Sequence, residues 1–434
     1  MIQTIRGFRD ILPGDTPLWQ AIEQTASRLF EDFGFKEIRL PLIEQTELFA
    51  RSIGEVTDIV EKEMYTFPDR KGENITLRPE ATASVVRSYI QHKMYAADPI
   101  QRLYTMGPMF RRERPQKGRY RQFYQINAEV FGIAAPHIDG ELILMLNELF
   151  GRLGLTDLTT HLNSLGCPEC RPLFHRALTE FLRSKHGGLC SDCTRRMDKN
   201  PLRTLDCKVP GCREAMLDAP TTLDHLCSEC SDHFDKVKEI LTRQEVDFQV
   251  DKTLVRGLDY YSRTAFEVQT TALGAQSAVA GGGRYDALVR ELDGPEVPAI
   301  GFAIGLDRLA GVMEQLQEPV KTRELDLFVI PLGPGALDQA YYCCSRLNLA
   351  GIRCDTDYSG KSLKGLMKRA DKLNAGHVLI LDMRKSDNKE SATGAVLRNM
   401  KTREQTTLSM QAPDMQVPYD EIIKILTDKG MPRD

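Results

Sequence analysis

The sequence lacks the apolar segments that mark membrane and exported proteins. Among its 434 residues, no apolar run approaches the roughly 20 residues that a membrane-spanning helix needs. The N-terminal segment MIQTIRGFRDILPGD also lacks the continuous apolar core of a signal peptide. We therefore expect the chain to work in the cytoplasm.

A strong overall charge is absent as well. The formal net charge is −4, so any contact with nucleic acid must come from local basic patches and not from the charge of the whole chain. No internal repeat or low-complexity segment stands out. With 41% apolar and 27% charged residues, the composition is that of an ordinary soluble protein. The length predicts roughly two to four domains.

The segment from Met106 to Gly132 carries the densest set of charged and polar residues. A short apolar run ends at Phe110, and a loop rich in basic residues follows it. Guanidinium groups bind phosphate through two parallel hydrogen bonds, so this loop is a candidate phosphate-binding element. The alternative is a solvated, charged hairpin on an antiparallel sheet. The basic residues of the loop are Arg111, Arg112, Arg114, Lys117, Arg119 and Arg121.

From Phe123 onwards the residues alternate strictly between the two faces of a predicted strand. One face is apolar and predicts core packing; it comprises Tyr124, Ile126, Ala128 and Val130. The other face places three polar side chains between two aromatic ones, which predicts the floor of a pocket. This second face comprises Phe123, Gln125, Asn127, Glu129 and Phe131.

Glu80 and Thr82 lie where a predicted strand gives way to a helix that starts near Thr82. Either side chain could simply cap the helix, and capping is more expected of Thr82 than of Glu80. A carboxylate at position 80 could equally hold an ammonium group. Further upstream, residues 38–43 predict a strand that Pro41 interrupts, which favours a place at an edge or an interface.

A second stretch, Leu254 to Glu267, concentrates charged and aromatic residues that a strand core normally avoids, since buried charges need partners. It reads either as part of a binding site or as an exposed strand end with a salt bridge. Three consecutive glycines follow at 281–283; they would let the backbone approach a ligand closely or form a plain turn. A helix is predicted to begin at Ile304, and Arg308 lies one turn after its start. The charged and aromatic residues of the stretch are Arg256, Asp259, Tyr260, Tyr261 and Arg263.

Eight of the eleven cysteines fall within a segment that we treat as an insertion, residues 163–250. Three C-x2-C pairs and one C-x4-C pair fit tetrahedral thiolate sites, in which two pairs hold one zinc ion. The order of the pairs does not say which of them combine. The alternative is that some of these cysteines pack as small buried apolar residues. The candidate zinc ligands are Cys167, Cys170, Cys190, Cys193, Cys207, Cys212, Cys227 and Cys230.

The segment after Arg323 predicts a separate α/β domain. Strands at 327–330, 352–356 and 378–381 alternate with helices at 336–349 and 362–373, an order that implies a partly parallel sheet. The apolar face of the second helix comprises Leu363, Leu366, Met367, Ala370 and Leu373. The opposite side is basic and forms either a solvated face or an RNA contact. Its lysines are Lys361, Lys364, Lys368 and Lys372.

Six of these motifs together resemble the class II histidyl-tRNA synthetases and occur in that family's order over essentially the whole chain. Only RGLDYY combined with AGGGRYD is specific to histidyl enzymes and their close relatives; the FRxE loop and GLDRL belong to the wider class. The motifs are RGFRDILP at the start, LRPEAT at 77–82, FRRERPQKGRYRQFYQ at 110–125, LVRGLDYYSRTAFE at 254–267, AGGGRYD at 280–286 and GFAIGLDRL at 301–309.

The resemblance implies an α+β catalytic domain, residues 1–323, with a mainly antiparallel sheet. A helical, cysteine-rich insertion at 163–250 interrupts it, and an α/β anticodon-binding domain follows at 324–434. In relatives the insertion is thought to clasp the acceptor arm of the tRNA. The cysteine set is not a defining feature of the family.

The resemblance also implies an activity: ATP-dependent ligation of L-histidine to tRNA(His) through a histidyl-adenylate, with release of AMP and pyrophosphate. Mg²⁺ is expected to arrive with ATP, without a dedicated protein cage. A homodimer in the cytoplasm is implied too. Two alternatives are a non-catalytic, histidine-sensing regulatory paralogue and a pure RNA-binding protein with a zinc module. The first loses catalytic arginines that are present here, and the second leaves the histidine pocket unexplained.

Finally, the resemblance implies roles for single residues. Arg111 would hold the substrate carboxylate and the α-phosphate. Arg256 would stand at the α-phosphate, where other class II enzymes place a metal ion. Arg119 would face the outer phosphates, and Phe123 and Arg308 would sandwich adenine. The implied histidine-binding residues are Glu80, Thr82 and Gln125 for the ammonium group, Glu129 and Tyr261 for the imidazole, and Ala81, Arg256 and Tyr260 as further pocket residues. Ala81 stands where many relatives have glycine.

Overall fold

A computed structural model describes residues 1–54, 57–115, 118–205, 207–270, 278–316, 325–384, 394–410 and 417–427. The chain divides into two compact units, Met1–Val320 and Lys321–Asp434, and each has its own apolar core. The domain boundary predicted after Arg323 lies outside the described residues. Within those residues, no helix is both long and apolar enough to cross a membrane.

The helices and strands alternate along the chain. The α-helices are α1 (Thr16–Asp32), α2 (Thr46–Ile53), α3 (Thr82–Gln91), α4 (Met94–Ala97), α5 (Pro136–Arg152), α6 (Cys170–Ser184), α7 (Ser191–Lys199), α8 (Pro210–Ala215), α9 (Ser228–Arg243), α10 (Leu288–Glu291), α11 (Leu306–Leu316), α12 (Ala336–Leu349), α13 (Leu363–Lys372) and α14 (Tyr419–Thr427). The strands are β1 (Lys36–Glu37), β2 (Ile43–Gln45), β3 (Tyr65–Pro68), β4 (Asn74–Leu77), β5 (Gln101–Phe110), β6 (Gln122–Phe131), β7 (Leu158–Ser164), β8 (Phe248–Val250), β9 (Ser262–Thr270), β10 (Ala278–Arg284), β11 (Ala299–Gly305), β12 (Leu327–Leu332), β13 (Cys354–Thr356), β14 (His377–Asp382), β15 (Gly394–Asn399) and β16 (Gln405–Leu408).

The first unit is built on an eight-stranded sheet with the order β1-β5-β6-β11-β10-β9-β7-β8. Its six inner strands pair antiparallel with one another, and only β1 and β8 join in parallel. The prediction of a mainly antiparallel sheet is therefore confirmed. Antiparallel sheets commonly present one face to a core and leave the other face available to ligands or solvent.

Strand β6 places its two faces as the alternation predicted. Ile126, Ala128 and Val130 are buried in the main core, where residues of α1 and α5 also pack. Each fully buried aliphatic side chain contributes about 1.5–3 kcal/mol relative to an exposed one. This packing holds the sheet against the helices and leaves the polar face of β6 free to line a site.

The predicted strand over residues 38–43 is wrong. The structure has two short strands here, β1 and β2, and they belong to different sheets, since β2 pairs with β4 in a separate three-stranded sheet. Pro41 lies between them and has no amide hydrogen to donate, so it cannot continue a ladder.

The insertion leaves and rejoins the core sheet at neighbouring strands. β7 and β8 pair in parallel, and helices α6 to α9 lie between them in sequence. The boundaries predicted at 163 and 250 therefore fall within β7 and β8 themselves. This arrangement fixes both ends of the helical segment on one edge of the sheet.

The second unit has a five-stranded sheet of order β13-β12-β14-β15-β16, of which the first three strands are parallel. The predicted partly parallel sheet is confirmed, and α12 has the predicted bounds. On α13, Leu366 and Ala370 are buried as predicted. Leu363 and Leu373 are instead 37% and 40% exposed, because they lie at the two ends of the helix, beyond its contact with the sheet.

Candidate active site

A pocket of about 240 Å³ lies on the sheet of the first unit and takes its lining from β6, β9, β10 and β11, from the loop after β5 and from the loop before β9. It brings together most of the side chains that the sequence singled out. These are Glu80, Thr82, Arg111, Arg119, Phe123, Gln125, Arg256, Tyr260, Tyr261 and Arg308. Ala81 and Glu129 are buried but do not line the cavity. Lys117 lies outside the described residues.

Arg111 lines the pocket, and two contacts hold it there in addition to a longer ion pair of 3.8 Å with Glu113. Its Nε donates a hydrogen bond of 2.8 Å to the carbonyl of Pro79, and its guanidinium lies 5.3 Å from the centre of the Phe123 ring. Arg119 pairs with Glu113, an acidic partner that sequence reasoning missed. Burial lowers the pKa of Arg111 and of Arg119. Such desolvated cations gain free energy when an anion binds beside them.

Arg256 reaches the pocket from the loop before β9. Its Nη1 lies 2.8 Å from Oε2 of Glu267, and its guanidinium lies 5.6 Å from the centre of the Tyr261 ring. Burial opposes the charge, but Tyr261 and Glu267 outweigh burial, so the pKa of Arg256 is raised. Its Nε is buried without a hydrogen-bond partner among the described residues. The guanidinium is therefore held charged, with a donor still available.

The glycine at position 281 makes this placement possible. A Cβ added there would lie 2.3 Å from Nη1 and 2.7 Å from Cζ of Arg256. The glycine run is part of strand β10, so it allows close approach and does not form a plain turn. Only a residue without a side chain leaves room for the guanidinium at this point.

Glu80, and not Thr82, caps helix α3, so the expected preference between the two was wrong. Its two carboxylate oxygens accept hydrogen bonds from the backbone N–H groups of Thr82 at 2.7 Å and Ala83 at 2.8 Å. Burial raises the pKa of Glu80, and these two bonds oppose the rise. Each oxygen keeps a further lone pair, so capping and recognition of an ammonium group are compatible.

Two amide side chains of β6 add acceptors next to Glu80. Oε1 of Gln125 and Oδ1 of Asn127 are both buried and have no hydrogen-bond partner within the described part of the chain. Both residues line the pocket. A buried acceptor without a partner costs about 1–3 kcal/mol. These atoms together favour a bound donor group such as ammonium.

Glu129, one step further along the same face of β6, lies beside the pocket residues as a buried carboxyl group. It accepts hydrogen bonds from the hydroxyls of Thr82 at 2.7 Å and Tyr285 at 2.5 Å. Burial raises its pKa to about 8, although the two hydroxyls oppose the rise. Gly301 faces it, and a Cβ there would lie 1.6 Å from Oε2 of Glu129. Thr82 is therefore the link between Glu129 and the cavity.

Three tyrosines close this end of the site. The ring centres of Tyr260 and Tyr261 lie 4.6 Å apart, and the ring centre of Tyr285 lies 5.6 Å from that of Tyr260. Burial raises the pKa of all three, so their hydroxyls stay neutral and can both donate and accept. Apart from its place in the AGGGRYD motif, nothing in the sequence marked Tyr285 as a residue of the site.

The arginine of that same motif has a structural place. Arg284 is fully buried, and its Nη2 lies 2.7 Å from Oδ2 of Asp139 on α5. Nε2 of His233 on α9 lies 3.1 Å from Oδ1 of the same carboxylate. Burial opposes the charge of Asp139, but His233 and Arg284 together hold its pKa below the ordinary value. This pair ties β10 to two helices, and Arg284 does not line the pocket.

The eight clustered cysteines form two groups of four. The outer cluster consists of Cys167, Cys170, Cys227 and Cys230, and the inner cluster of Cys190, Cys193, Cys207 and Cys212. In each cluster the four sulfur atoms lie within 4.8 Å of one another. The first pair in the chain thus combines with the fourth, and the second with the third.

The four lysines of the basic face predicted at α13 are all exposed. Lys361 precedes α13, and the other three, Lys364, Lys368 and Lys372, lie on it. Only Lys361 has an acidic neighbour that the structure specifies, Asp357, at 3.8 Å. Both predictions, a solvated face and an RNA contact, require this exposure, and the charge of the face remains available to a phosphate backbone.

Residues 7–309 match the family profile described as histidyl-tRNA synthetase, and residues 326–427 match that of an anticodon binding domain. The chain is 80% identical to the histidine–tRNA ligase of Desulforapulum autotrophicum, with 100% of both chains covered. It is 58% identical to that of Desulfatibacillum aliphaticivorans, over 94% of this chain and 97% of the relative. The crystal structure of the apo histidyl-tRNA synthetase of S. aureus is 35% identical, covers 99% of both chains and superposes with a TM-score of 0.79. This chain therefore belongs to the histidyl-tRNA synthetase family, and it combines a class II catalytic domain with an anticodon-binding domain.

Proposed function

We propose that this chain uses ATP to join L-histidine to tRNA(His) through a histidyl-adenylate, with release of AMP and pyrophosphate. The chain is an enzyme of the aminoacyl-tRNA synthetase class. The observation that carries the proposal is the composition of one pocket, which combines four arginines with unpartnered acceptors and lies beside a buried carboxyl group.

The chemical step needs positioning and charge neutralisation more than acid–base catalysis. The carboxylate of histidine attacks the α-phosphate in line, and negative charge moves onto the phosphate oxygens and the pyrophosphate. Arg256 and Arg111 act on the α-phosphate and the attacking carboxylate, and Arg119 acts on the outer phosphates. Because burial desolvates Arg111 and Arg119, their interaction with phosphate is stronger than it would be in water.

Phe123 and Arg308 supply two planar groups that can stack on either side of adenine. Arg308 is held in place by a hydrogen bond of 2.9 Å from its Nη1 to the carbonyl of Ala278. Histidine is held at the other end. Glu80, Gln125 and Asn127 accept from its ammonium group, whereas Glu129, through Thr82, and Tyr261 set the polarity around its imidazole.

Mg²⁺ would enter with ATP and neutralise charge on its phosphates. The pocket carboxylates fit this arrangement, since the protein already occupies them: Glu80 with backbone amides, Glu113 and Glu267 with arginines, and Asp307 with Arg9. A cation held mainly by phosphate oxygens and water suits such a site. Arg256 supplies the positive charge at the α-phosphate.

The remaining elements serve tRNA(His) and assembly. The insertion contacts the acceptor arm, and the lysine face of α13 contacts the tRNA backbone, which positions the RNA without reading its sequence. The chain acts as a homodimer in the cytoplasm. A regulatory, non-catalytic role is the weaker alternative, because Arg111, Arg256, Arg308 and the anticodon-binding domain are all retained.

Two zinc ions complete the proposal, one in each cysteine cluster. A tetrahedral site with zinc–sulfur bonds of about 2.3 Å has sulfur atoms about 3.8 Å apart. The sulfurs of Cys167 lie 3.6 Å from Cys170 and 3.9 Å from Cys227, and those of Cys190 and Cys207 lie 3.9 Å apart. These distances fit a shared ion and are too long for disulfides.

Backbone amides also point at two of the sulfurs, and such hydrogen bonds favour the thiolate form that binds a metal. The amide of Cys190 donates to Sγ of Cys212 at 3.1 Å, and that of Cys227 donates to Sγ of Cys170 at 3.2 Å. Elemental analysis of protein purified without chelators should find about two zinc ions per chain. Less than about a tenth of an equivalent, with eight freely reactive thiols in the folded protein, would refute zinc.

The activity is tested by charging. The protein, ATP, Mg²⁺ and labelled histidine should convert a tRNA(His) transcript into acid-precipitable histidyl-tRNA, and the Arg256→Ala protein should convert far less. A failure of the wild-type protein to charge this transcript, while a known histidyl enzyme charges it, would reject the proposed function.

A further inference from the structure

The segment between the two halves of the inner cluster touches the loop that carries Arg256. Residues 200–204 lie between Cys193 and Cys207, at the end of α7 and in the short 3-10 turn Pro201–Thr204 that follows it. The loop after β8 carries Arg256 and then leads into β9. Two parts of the chain about 55 residues apart therefore meet beside the pocket.

Two side chains of this segment make the contact. Arg203 donates a hydrogen bond from Nη2 to the carbonyl of Gly257, the residue directly after Arg256. Nδ2 of Asn200 donates to both carboxylate oxygens of Asp259, at 3.1 and 3.2 Å. Nη2 of Arg203 also lies 3.7 Å from Oδ1 of Asp259. The loop is thus held at the backbone and at a side chain, next to Arg256.

The opposite side of the loop is fixed to the core. The amide of Asp259 donates to the carbonyl of Ile53 at 3.1 Å. The side chain of Asp259 lies against Gly54, where an added Cβ would be 2.7 Å from Oδ2. The loop is therefore held between α2 of the catalytic domain and the inner-cluster segment of the insertion.

The short elements around Asn200 and Arg203 are supported by a small apolar core and by the inner cluster. α7 and α8 are brief, and the apolar side chains of the segment joining them, Leu202 and Leu205, are only partly buried against a small core on α6. Helices this short are marginal without tertiary support. Cys190 and Cys193 lie at the start of α7, Cys207 precedes α8, and Cys212 lies on α8. An ion bound by all four closes this segment into a loop of fixed geometry.

We infer that the metal ion of the inner cluster positions Arg256 for adenylate formation, by way of Arg203 and Asn200. Neither the ion nor these two residues touches the reacting atoms; they are positioning elements. The inference rests on the proposed function, since it concerns the reaction that Arg256 serves. The outer cluster lies elsewhere, where the insertion joins the catalytic sheet. There Nη2 of Arg263 on β9 lies 2.5 Å from Oε1 of Glu229 on α9.

The test compares Arg203→Ala, Cys207→Ser, the double variant and a control, Arg183→Ala. Arg183 lies on α6 of the same insertion, pairs only with the exposed Asp198 among the contacts that the structure specifies, and does not contact the Arg256 loop. The measurements are zinc per chain and the kcat and KM of histidine-dependent pyrophosphate exchange. Arg203→Ala retains every zinc ligand, so it keeps the inference testable where Cys207→Ser fails to fold.

Arg203→Ala should keep both zinc ions and lower kcat by about tenfold to 10²-fold, with a much smaller change in the KM for histidine, because the guanidinium acts in the transition state. Cys207→Ser should lose one ion and a similar factor in kcat. The double variant should be no slower than the slower single variant, because both release the same loop. Arg183→Ala should stay within about twofold of the wild type.

An Arg203→Ala protein within about twofold of an active wild type would overturn the inference, as would single effects that multiply in the double variant. Amide hydrogen exchange separates this failure from failure of the proposed function. Removing zinc should speed exchange over residues 254–260 even in a protein with no synthetase activity. Unchanged exchange in this segment after loss of the inner ion would also overturn the inference.

Discussion

The guanidinium of Arg256 fills the space that a side chain at Gly281 would need: a Cβ at position 281 would lie 2.3 Å from Nη1 of the guanidinium. The neighbouring glycine faces a different obstacle. A Cβ at Gly282 would lie 2.2 Å from the backbone carbonyl oxygen of Gly301 on β11. A side-chain end can swing away, whereas a strand backbone cannot. Two adjacent glycines in one motif thus have different roles. Gly281 leaves room for the guanidinium in the site, and Gly282 allows β10 to pack closely against β11.

This difference predicts opposite outcomes for two matched substitutions. Gly281→Ala should displace Arg256 and lower the rate of pyrophosphate exchange by about 10²-fold, with little loss of stability. Gly282→Ala should instead lower the free energy of unfolding by about 1–3 kcal/mol, because it overpacks the sheet. Thermal unfolding and exchange kinetics on both proteins check the prediction. Equal losses of stability in Gly281→Ala and Gly282→Ala would show that the Arg256 side chain does not move aside for the new methyl group.

Arg256→Ala should lower adenylate formation strongly while the fold stays intact. A preorganised cation at the reacting phosphate is worth roughly 3–4 kcal/mol, or about 10²–10³ in rate, by comparison with removal of an oxyanion donor. Single-turnover formation of histidyl-adenylate measures the effect, and circular dichroism checks the fold. A loss of less than about tenfold would place Arg256 outside the chemical step.

Glu129→Ala should weaken the use of histidine and spare ATP. The substitution leaves the hydroxyls of Thr82 and Tyr285 without their buried acceptor and removes the carboxyl group that sets the polarity next to the imidazole. The loss in kcat/KM for histidine should correspond to about 1–3 kcal/mol or more. Separate titrations of histidine and ATP distinguish the two effects. An unchanged KM for histidine with a raised KM for ATP would move Glu129 out of histidine recognition.

The raised pKa of Glu129 predicts a pH-dependent stability. Burial raises the pKa from an ordinary value of 4.5 to about 8, so between these values the folded protein binds a proton that the unfolded chain releases. The contribution of Glu129 to stability therefore falls as the pH rises through this window, by up to about 1.4 kcal/mol per pH unit, and levels off above it.

The comparison protein is Glu129→Gln, whose side chain does not titrate. Denaturant unfolding of both proteins over a range of pH gives the difference in their free energies of unfolding. The wild type should lose stability relative to Glu129→Gln as the pH rises from about 4.5 to about 8. A constant difference over this range would mean that Glu129 is ionised in the folded protein throughout.

Local patterns predicted much of the fold and part of the site. The alternation in β6 gave both the core face and the polar face, because side-chain direction in a strand depends only on neighbouring residues. Helix α12 was predicted with its observed bounds for the same kind of reason. Short strands such as β1 and β2 were missed, since their pairing depends on distant partners and two or three residues carry no period.

Roles that depend on contacts between distant segments were harder to predict. The capping role of Glu80 requires the turn of the chain between β4 and α3, and local rules favoured Thr82. The spacing of the cysteines indicated metal ligands but not their pairing, which depends on how α6 and α9 return to one another. Nothing local to Arg203 distinguishes it from a surface arginine; its bond to Gly257 follows from the tertiary structure alone.

Histidine-dependent exchange of pyrophosphate into ATP tests the central claim most directly, because it needs the whole pocket and no tRNA. The purified protein, with ATP, Mg²⁺ and labelled pyrophosphate, should form labelled ATP when histidine is present and should form almost none with any other amino acid. Arg256→Ala serves as the matched control for contaminating enzymes. Exchange without histidine, equal exchange with another amino acid, or no exchange at all would contradict the account.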